Sequence, residues 1–315
     1  MRHHPKHEHV DIFLIYGLSL FLIILLSLVH FGKQHLPLQK KVAQVTKPIP
    51  VAPLFDKNAF TQVKINGKAY VVYDLISHEV IASKNETTIL PLASITKVMM
   101  AVSAALHRPL KEKIVISAGS IEDGYDLGLK NKQVWALSEL LKYTLVFSSN
   151  DGAEAVADSF GSKEIFIQQM NNDAKTLGLD LVFTDPAGRD VHGAVGGQGT
   201  VIDVARLFAI ARKNIPEVMD ATTKKRQTVV TSSGKISGIP NTNQDIETLP
   251  GAEASKTGYT DMAGGNLGVI VDISVGHPVV IVVLGSTREG RFRDMDVLYK
   301  ALRISIEGVV EKQSP

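Results

Sequence analysis

Cysteine is absent from all 315 residues. That excludes disulfides, thiolate metal sites, a cysteine nucleophile and a lipidated amino-terminal cysteine, while leaving the compartment open. An excess of charge of one sign is lacking too, since 34 Lys and Arg face 32 Asp and Glu. Nothing therefore draws the chain over long range to nucleic acid or to an anionic surface, and no basic stripe interleaves with aromatics. No internal repeat is visible. What remains is ordinary for a folded protein: 44% hydrophobic and 21% charged residues, in a length suited to one large domain or two modest ones with a sizeable core.

The one long apolar run lies at the start. Ile12 to Val29 carries no charge, is rich in Leu, Ile and Phe, and is bracketed by Asp11 and Lys33. Eighteen such residues can span a bilayer as a helix, and a core helix is seldom apolar all round. Residues 12–31 are thus expected to be a single transmembrane anchor after a short polar flank, 1–11. A cleaved signal peptide competes with this reading, but Val29-His30-Phe31-Gly32-Lys33 offers no small-x-small cleavage site. Arg2 and Lys6 precede the run and Lys33, Lys40, Lys41 and Lys47 follow it, so the positive-inside count does not itself place the following domain outside. Large domains translocate regardless of such counts, and the site chemistry has to decide. His3, His4, His7 and His9 read as polar flank rather than as a metal site.

Residues 32–53 contain Pro37, Pro48, Pro50 and Pro53 with scattered lysines and no hydrophobic period, an extended spacer. The folded domain is expected over 54–312. Both of its ends read as strands: 69–74 and 80–83 early, 266–273 and 279–285 late. The middle reads as helices over 94–106, 137–146, 151–160 and 163–177, and 294–309 should form a helix covering one sheet face. Strands at both ends with helices between them predict an α+β fold, an antiparallel sheet closed by the chain termini around an inserted helical region.

Three short strings carry the chemistry. In Ser94-Ile95-Thr96-Lys97, Pro91 halts what precedes and Ser94 falls at a helix start, where free N–H groups can stabilise an oxyanion. Lys97 lies one turn on along the same face and, if unprotonated, can act as base for the serine. The same spacing recurs at Ser232 to Lys235, but in a Gly- and Ser-rich turn with no helix following, which reads as a hairpin tip. Ser148-Ser149-Asn150 lies between two helical patterns. Ser149 or Asn150 can serve there simply as an N-cap, or Ser148 can relay a proton to a leaving nitrogen while Asn150 holds substrate and Lys97. Ser83-Lys84-Asn85 is a copy of that pattern in a strand-turn region. Lys256-Thr257-Gly258 precedes a strand-rich region. Lys256 and Thr257 can hold a carboxylate, and Gly258 can let an extended substrate approach a strand edge.

Together these residues resemble the penicillin-recognising serine acyl-enzymes, above all the low-molecular-weight penicillin-binding proteins that act as D-alanyl-D-alanine carboxypeptidases. Pro91 to Lys97 is similar to that family's P-x-A-S-x-T-K. Ser148 to Asp151 resembles S-x-N-D-A, with Gly152 in place of alanine. Phe183 to Gly188 resembles F-x-N-P-x-G, with Asp185 in place of asparagine. Lys256 to Thr260, Ala263-Gly264 and Arg291 to Asp294 match closely. The resemblance implies a β-lactamase/transpeptidase-like fold, with a five-stranded antiparallel sheet, flanking helices and an inserted all-helical subdomain. It implies Ser94 as nucleophile, Lys97 as base, and Ser148 with Asn150 across the cleft. Lys256 and Thr257 would hold the terminal carboxylate, and the N–H groups of Ser94 and Tyr259 would form the oxyanion hole. It implies no metal or organic cofactor, a peptidoglycan stem peptide as substrate and β-lactams as covalent inhibitors. The amino-terminal span would tether the catalytic domain outside the cytoplasm.

Three other functions use related residues. Endopeptidase action on D-alanyl cross-links needs the same site. A class A-like β-lactamase needs a glutamate beyond the second string, and Leu181 to Arg189 contains none. A non-catalytic cell-wall sensor has no need for a nucleophile–base pair.

Overall fold

The computed structural model describes residues 55–121 and 129–313. The expected flank 1–11, anchor 12–31 and spacer 32–53 lie outside the described residues. Among the described residues no helix is long and apolar enough to cross a membrane.

In chain order, β1 (Ala69–Asp74), β2 (Val80–Lys84) and the short β3 (Leu90–Pro91) lead through a 3-10 turn, Ala93–Ile95, into helix α1 (Thr96–His107). Next come β4 (Lys113–Val115), β5 (Val134–Ala136), α2 (Leu137–Phe147), α3 (Asn150–Asp158) and α4 (Lys163–Thr176). They are followed by β6 (Leu181–Phe183), β7 (Gly197–Gly199), α5 (Val201–Asn214), α6 (Pro216–Ala221) and the hairpin β8 (Arg226–Thr231) and β9 (Gly234–Pro240). Three long strands, β10 (Ala252–Thr260), β11 (Gly264–Asp272) and β12 (Pro278–Ser286), precede the closing helix α7 (Gly290–Gln313).

The main sheet has five antiparallel strands in the order β10-β11-β12-β1-β2. Early and late chain meet where β1 pairs with β12, Ala69 opposite Leu284 through Asp74 opposite Val279. These strands read as unbroken β-branched runs because both faces are covered. Val72, Val269 and Ile281 pack on α7 through Met295, Leu298 and Leu302. Val71, Ile270 and Val282 join the larger core containing α1 and α5. Each fully buried Leu or Val is worth roughly 1.5–3 kcal/mol. Asp294 ties α7 to the start of the domain, accepting from Asn66 N at 3.0 Å, Gly67 N at 2.9 Å and Ser286 Oγ at 2.6 Å.

The α+β class and the five-stranded sheet agree with expectation; the all-helical insertion does not. The inserted region also carries a three-stranded sheet, β3-β7-β6, and a four-stranded one, β4-β5-β8-β9. Most of these strands are two or three residues long, too short for a period of two to register. Helix α5 was not expected either, and α7 starts at Gly290 rather than 294, its first turn being polar. Helix α1 is the buried pillar of the insertion. Every residue from Thr96 to Ala104 is buried, which fits a segment apolar nearly all round.

Candidate active site

Ser94 sits in the 3-10 turn that feeds α1, not in the α-helix itself. The turn is held from several sides. Leu92 N donates to Gly197 O at 2.8 Å, and Asn266 Nδ2 donates to Pro91 O at 2.9 Å. Ala93 takes φ +49°, a left-handed conformation that costs a non-glycine residue about 1–3 kcal/mol and persists only under such constraint. Gly188, itself at φ +77°, abuts the turn so closely that a Cβ there would meet Ala93 O at 2.0 Å.

Lys97 is fully buried under Ser94. Its Nζ lies 2.9 Å from Ser94 Oγ and donates to Asn150 Oδ1 at 2.9 Å and to Ala187 O at 2.8 Å. The amide and peptide oxygens can only accept, whereas the hydroxyl can donate or accept. With those two acceptors holding the amine in place, deprotonated Nζ would have a lone pair within reach of the Ser94 hydroxyl. That is the arrangement a base requires.

Across the cleft, Ser148 ends α2 at φ +63°, and its hydroxyl accepts from Lys256 Nζ at 2.8 Å. Ser149 is the N-cap of α3, accepting from Gly152 N at 2.7 Å. The string thus supplies both a cap, at Ser149, and a hydroxyl bonded to Lys256, at Ser148. Lys256 is 2% exposed and also donates to Thr257 O at 2.8 Å. Its pKa is pushed well below the ordinary lysine value, first by burial and then by the positive charges of Lys97 and Arg291. Thr257 Oγ1 bonds Thr242 Oγ1 at 2.6 Å. The guanidinium of Arg288 lies 3.9 Å over the Tyr259 ring, and Arg291 Nη1 donates to Gly258 O at 2.6 Å. Burial and Arg288 bring the Arg291 pKa down to about 10, which leaves it charged at neutral pH.

Lys256-Thr257-Gly258 lies within β10, an edge of the main sheet, rather than ahead of a strand. Its polar and small residues carry no apolar alternation to reveal that. Gly258 also has a packing reason. A Cβ there would stand 2.8 Å from Leu92 O and 3.2 Å from the backbone nitrogens of Ser94 and Ile95. The glycine is needed so that the strand can lie against the nucleophile turn.

Asp185 stands buried beneath this centre. Its Oδ1 accepts from Ala187 N at 2.9 Å and Arg189 N at 3.0 Å, and its Oδ2 accepts from Lys163 Nζ at 2.8 Å and Arg189 Nη2 at 2.9 Å. Glu154 bonds the same Lys163 at 2.8 Å and pairs with Arg189. Burial alone would raise the Asp185 pKa, but the hydrogen bonds from Arg189 and Lys163 outweigh it and bring the value to about 2.

Of the sequence-derived residues, Ser94, Lys97, Ser148, Asn150 and Lys256 converge, with Thr257, Gly258 and Tyr259 on the adjoining strand. Ser232 is at the tip between β8 and β9, its Oγ accepting from Val134 N, and Lys84 is spent on Gly67 O. The Ala187 carbonyl, Thr242 and Arg288 escaped sequence reasoning, the first because a backbone carbonyl has no residue signature. Among the described residues no three His, Asp or Glu side chains are placed to share a metal ion.

Comparison with known proteins points one way. Residues 56–288 match the family described as D-alanyl-D-alanine carboxypeptidase. The D-alanyl-D-alanine carboxypeptidase DacB2 of Mycobacterium tuberculosis is 29% identical over 198 residues, 62% of this chain and 67% of that protein. A D-alanyl-D-alanine endopeptidase of Escherichia coli is 29% identical over 246 residues, 75% of this chain and 77% of the relative. The crystal structure of penicillin-binding protein D2 from Listeria monocytogenes in its cefotaxime-bound form superposes with a TM-score of 0.65 at 28% identity. It covers 76% of this chain and 98% of the Listeria chain.

Proposed function

The chain belongs to the D-alanyl-D-alanine carboxypeptidase family, and from that premise we propose that Ser94 is its acylated nucleophile and Lys97 the base. The observation that carries this reading is the 2.9 Å contact between Ser94 Oγ and the buried Lys97 amine, which is held from below by Asn150 and Ala187. The substrate is a peptidoglycan stem peptide ending in D-Ala-D-Ala.

The substrate lies along the edge strand β10, its terminal carboxylate facing Lys256 and Thr257 in a site already positive through Arg288 and Arg291. Lys97 takes the Ser94 proton as Oγ attacks the penultimate carbonyl. The N–H groups of Ser94 and Tyr259 receive the oxyanion, a contribution worth about 3–4 kcal/mol per donor where it has been dissected. The proton taken by Lys97 is then delivered through the Ser148 hydroxyl, held by Lys256, to the leaving nitrogen; the C–N bond breaks, D-alanine departs and Lys97 is left neutral again. Water then attacks the ester, with Lys97 accepting its proton and returning it to Ser94. A β-lactam enters the same first step and stays as the covalent adduct.

The endopeptidase relative supports a second reading with the same residues, cleavage of D-alanyl cross-links. A β-lactamase is disfavoured. It needs a carboxylate free to activate water, and Asp185 and Glu154 are both engaged by Lys163 and Arg189. A pure sensor leaves the Ser94–Lys97 pair unexplained. Incubating the purified protein with a D-Ala-D-Ala pentapeptide and, separately, with cross-linked dimers decides between the first two. Free D-alanine from the pentapeptide is expected; product from dimers alone would make it an endopeptidase, and product from neither would overturn the assignment.

We further propose that residues 12–31 anchor the protein, 32–53 act as spacer and 54–312 form the catalytic domain outside the cytoplasm, where this substrate lies. The protein should stay in the membrane pellet after high-salt washing and be degraded by protease added to spheroplasts. A protected domain would refute the orientation.

A further inference from the structure

Lys97 depends on an oxygen that belongs to a loop, and the loop depends on Asp185. The carboxylate oxygen Oδ1 takes the N–H groups of Ala187 and Arg189, closing the turn whose Ala187 carbonyl then accepts from Lys97 Nζ at 2.8 Å. Its second oxygen is clasped by Lys163 and Arg189, and both cations return to Glu154. The four side chains thus make a unit of two positive and two negative charges around a buried carboxylate. Lys163 is the first residue of α4, where a cation opposes the helix dipole. Its presence there is accounted for by the two carboxylates it joins.

We propose that Asp185 is a positioning residue for the Lys97 base, acting through the Ala187 carbonyl, and that Lys163, Arg189 and Glu154 are its charge-balancing partners. This rests on the assignment of Ser94 and Lys97 above. The segment this loop resembles carries asparagine at position 185, yet Asp185→Asn should be harmful here. An asparagine can keep the two backbone N–H groups on Oδ1, but its NH2 then faces two cations with hydrogens toward hydrogens. Both cations then lose one of the two carboxylates they share. The loop relieves this by moving, and the Ala187 carbonyl moves with it.

The test is the acylation of the full protein by a fluorescent penicillin, resolved into a binding constant and a first-order acylation constant. Each preparation is normalised to the fraction that takes label at completion, and melting curves are recorded alongside. Asp185→Asn should lower the acylation constant about tenfold and leave binding within twofold, because Lys256 and Thr257 are untouched. Adding Lys163→Gln to Asp185→Asn removes the surplus cation and should recover most of the loss. A merely structural role would lower the melting temperature without changing the acylation constant of the labelled fraction. Wild-type acylation by Asp185→Asn, a loss confined to binding, or a double variant no better than the single one would each overturn the proposal. Should Asp185→Asn fail to fold, Lys163→Met and Lys163→Arg decide: the first should slow acylation several-fold and the second should not, and equal rates would refute it. A wild-type protein that takes no label contradicts the site assignment itself.

Discussion

Replacing Lys97 by arginine keeps a positive charge under Ser94 and removes only the ability to give up a proton. Guanidinium stays protonated in proteins, so the serine hydroxyl loses its acceptor. Losing a general base costs about 10²–10⁴ in rate, at least ~2.7 kcal/mol in the barrier. The slot is fully buried and bounded by Asn150 and Ala187, so the larger head group also overpacks it by roughly 1–3 kcal/mol of stability. Lys97→Met separates the two effects: it fits the volume, has no base, and strands two acceptors at about 1–3 kcal/mol each. Both variants should therefore acylate at least a hundredfold more slowly with a fluorescent penicillin, per folded molecule by circular dichroism. Lys256→Arg retains a cation for the carboxylate and should weaken binding while leaving measurable acylation. In the wild type, burial and then the positive charges of Lys97 and Arg291 hold the Lys256 pKa well below the ordinary lysine value. Lys97→Arg acylating within a few-fold of wild type, at any pH from mildly acidic to alkaline, would refute the role of Lys97.

Gly258→Ala should lower stability by roughly 1–3 kcal/mol and slow acylation more than tenfold, since the new methyl presses on Leu92 and on the Ser94 backbone nitrogen. Thermal melts and the acylation rate check this, and an unchanged rate would mean the turn is not held as described. Asp185 supplies an acid-stability prediction. Its folded pKa lies near 2, against 3.8 for the free carboxyl, so its contribution is fully present above about pH 4–5. It is lost as pH falls through 3.8 toward 2, and amounts to about 2 kcal/mol. Urea denaturation of wild type and Asp185→Asn should show a stability gap that is flat at neutral pH and closes over that window. A gap that persists at pH 2 would show that the carboxylate charge is not its source.

The parts legible in the sequence are those whose signal is local. The β-branched runs that became β1, β11 and β12 and the apolar stretch of α1 announced themselves by composition. The three reactive strings were legible because their order and spacing are unusual together. What stayed hidden depends on partners far along the chain. The strand β10 has no apolar alternation, because it is polar and glycine-bearing where it meets the Ser94 turn. The short strands of the insertion fall below the length at which a period can be read. Helix α5, Val201–Asn214, is capped by Thr200, whose Oγ1 accepts from Asp203 N at 3.2 Å, a start signal that is local but, being a single threonine, weak in the sequence. The substitution of Asp185 for asparagine was visible as a departure, but Lys163, Glu154 and Arg189, its partners, are separated from one another by 9 to 35 residues, and only the fold joins them.

The central claim is that Ser94, and no other hydroxyl, becomes covalently acylated. Intact-mass spectrometry of penicillin-treated protein, followed by peptide mapping, tests it directly. Wild type should gain the mass of one penicillin on the peptide containing Ser94, and Ser94→Ala should gain none. A label on Ser148 or Ser232, or one that persists in Ser94→Ala, would contradict the account.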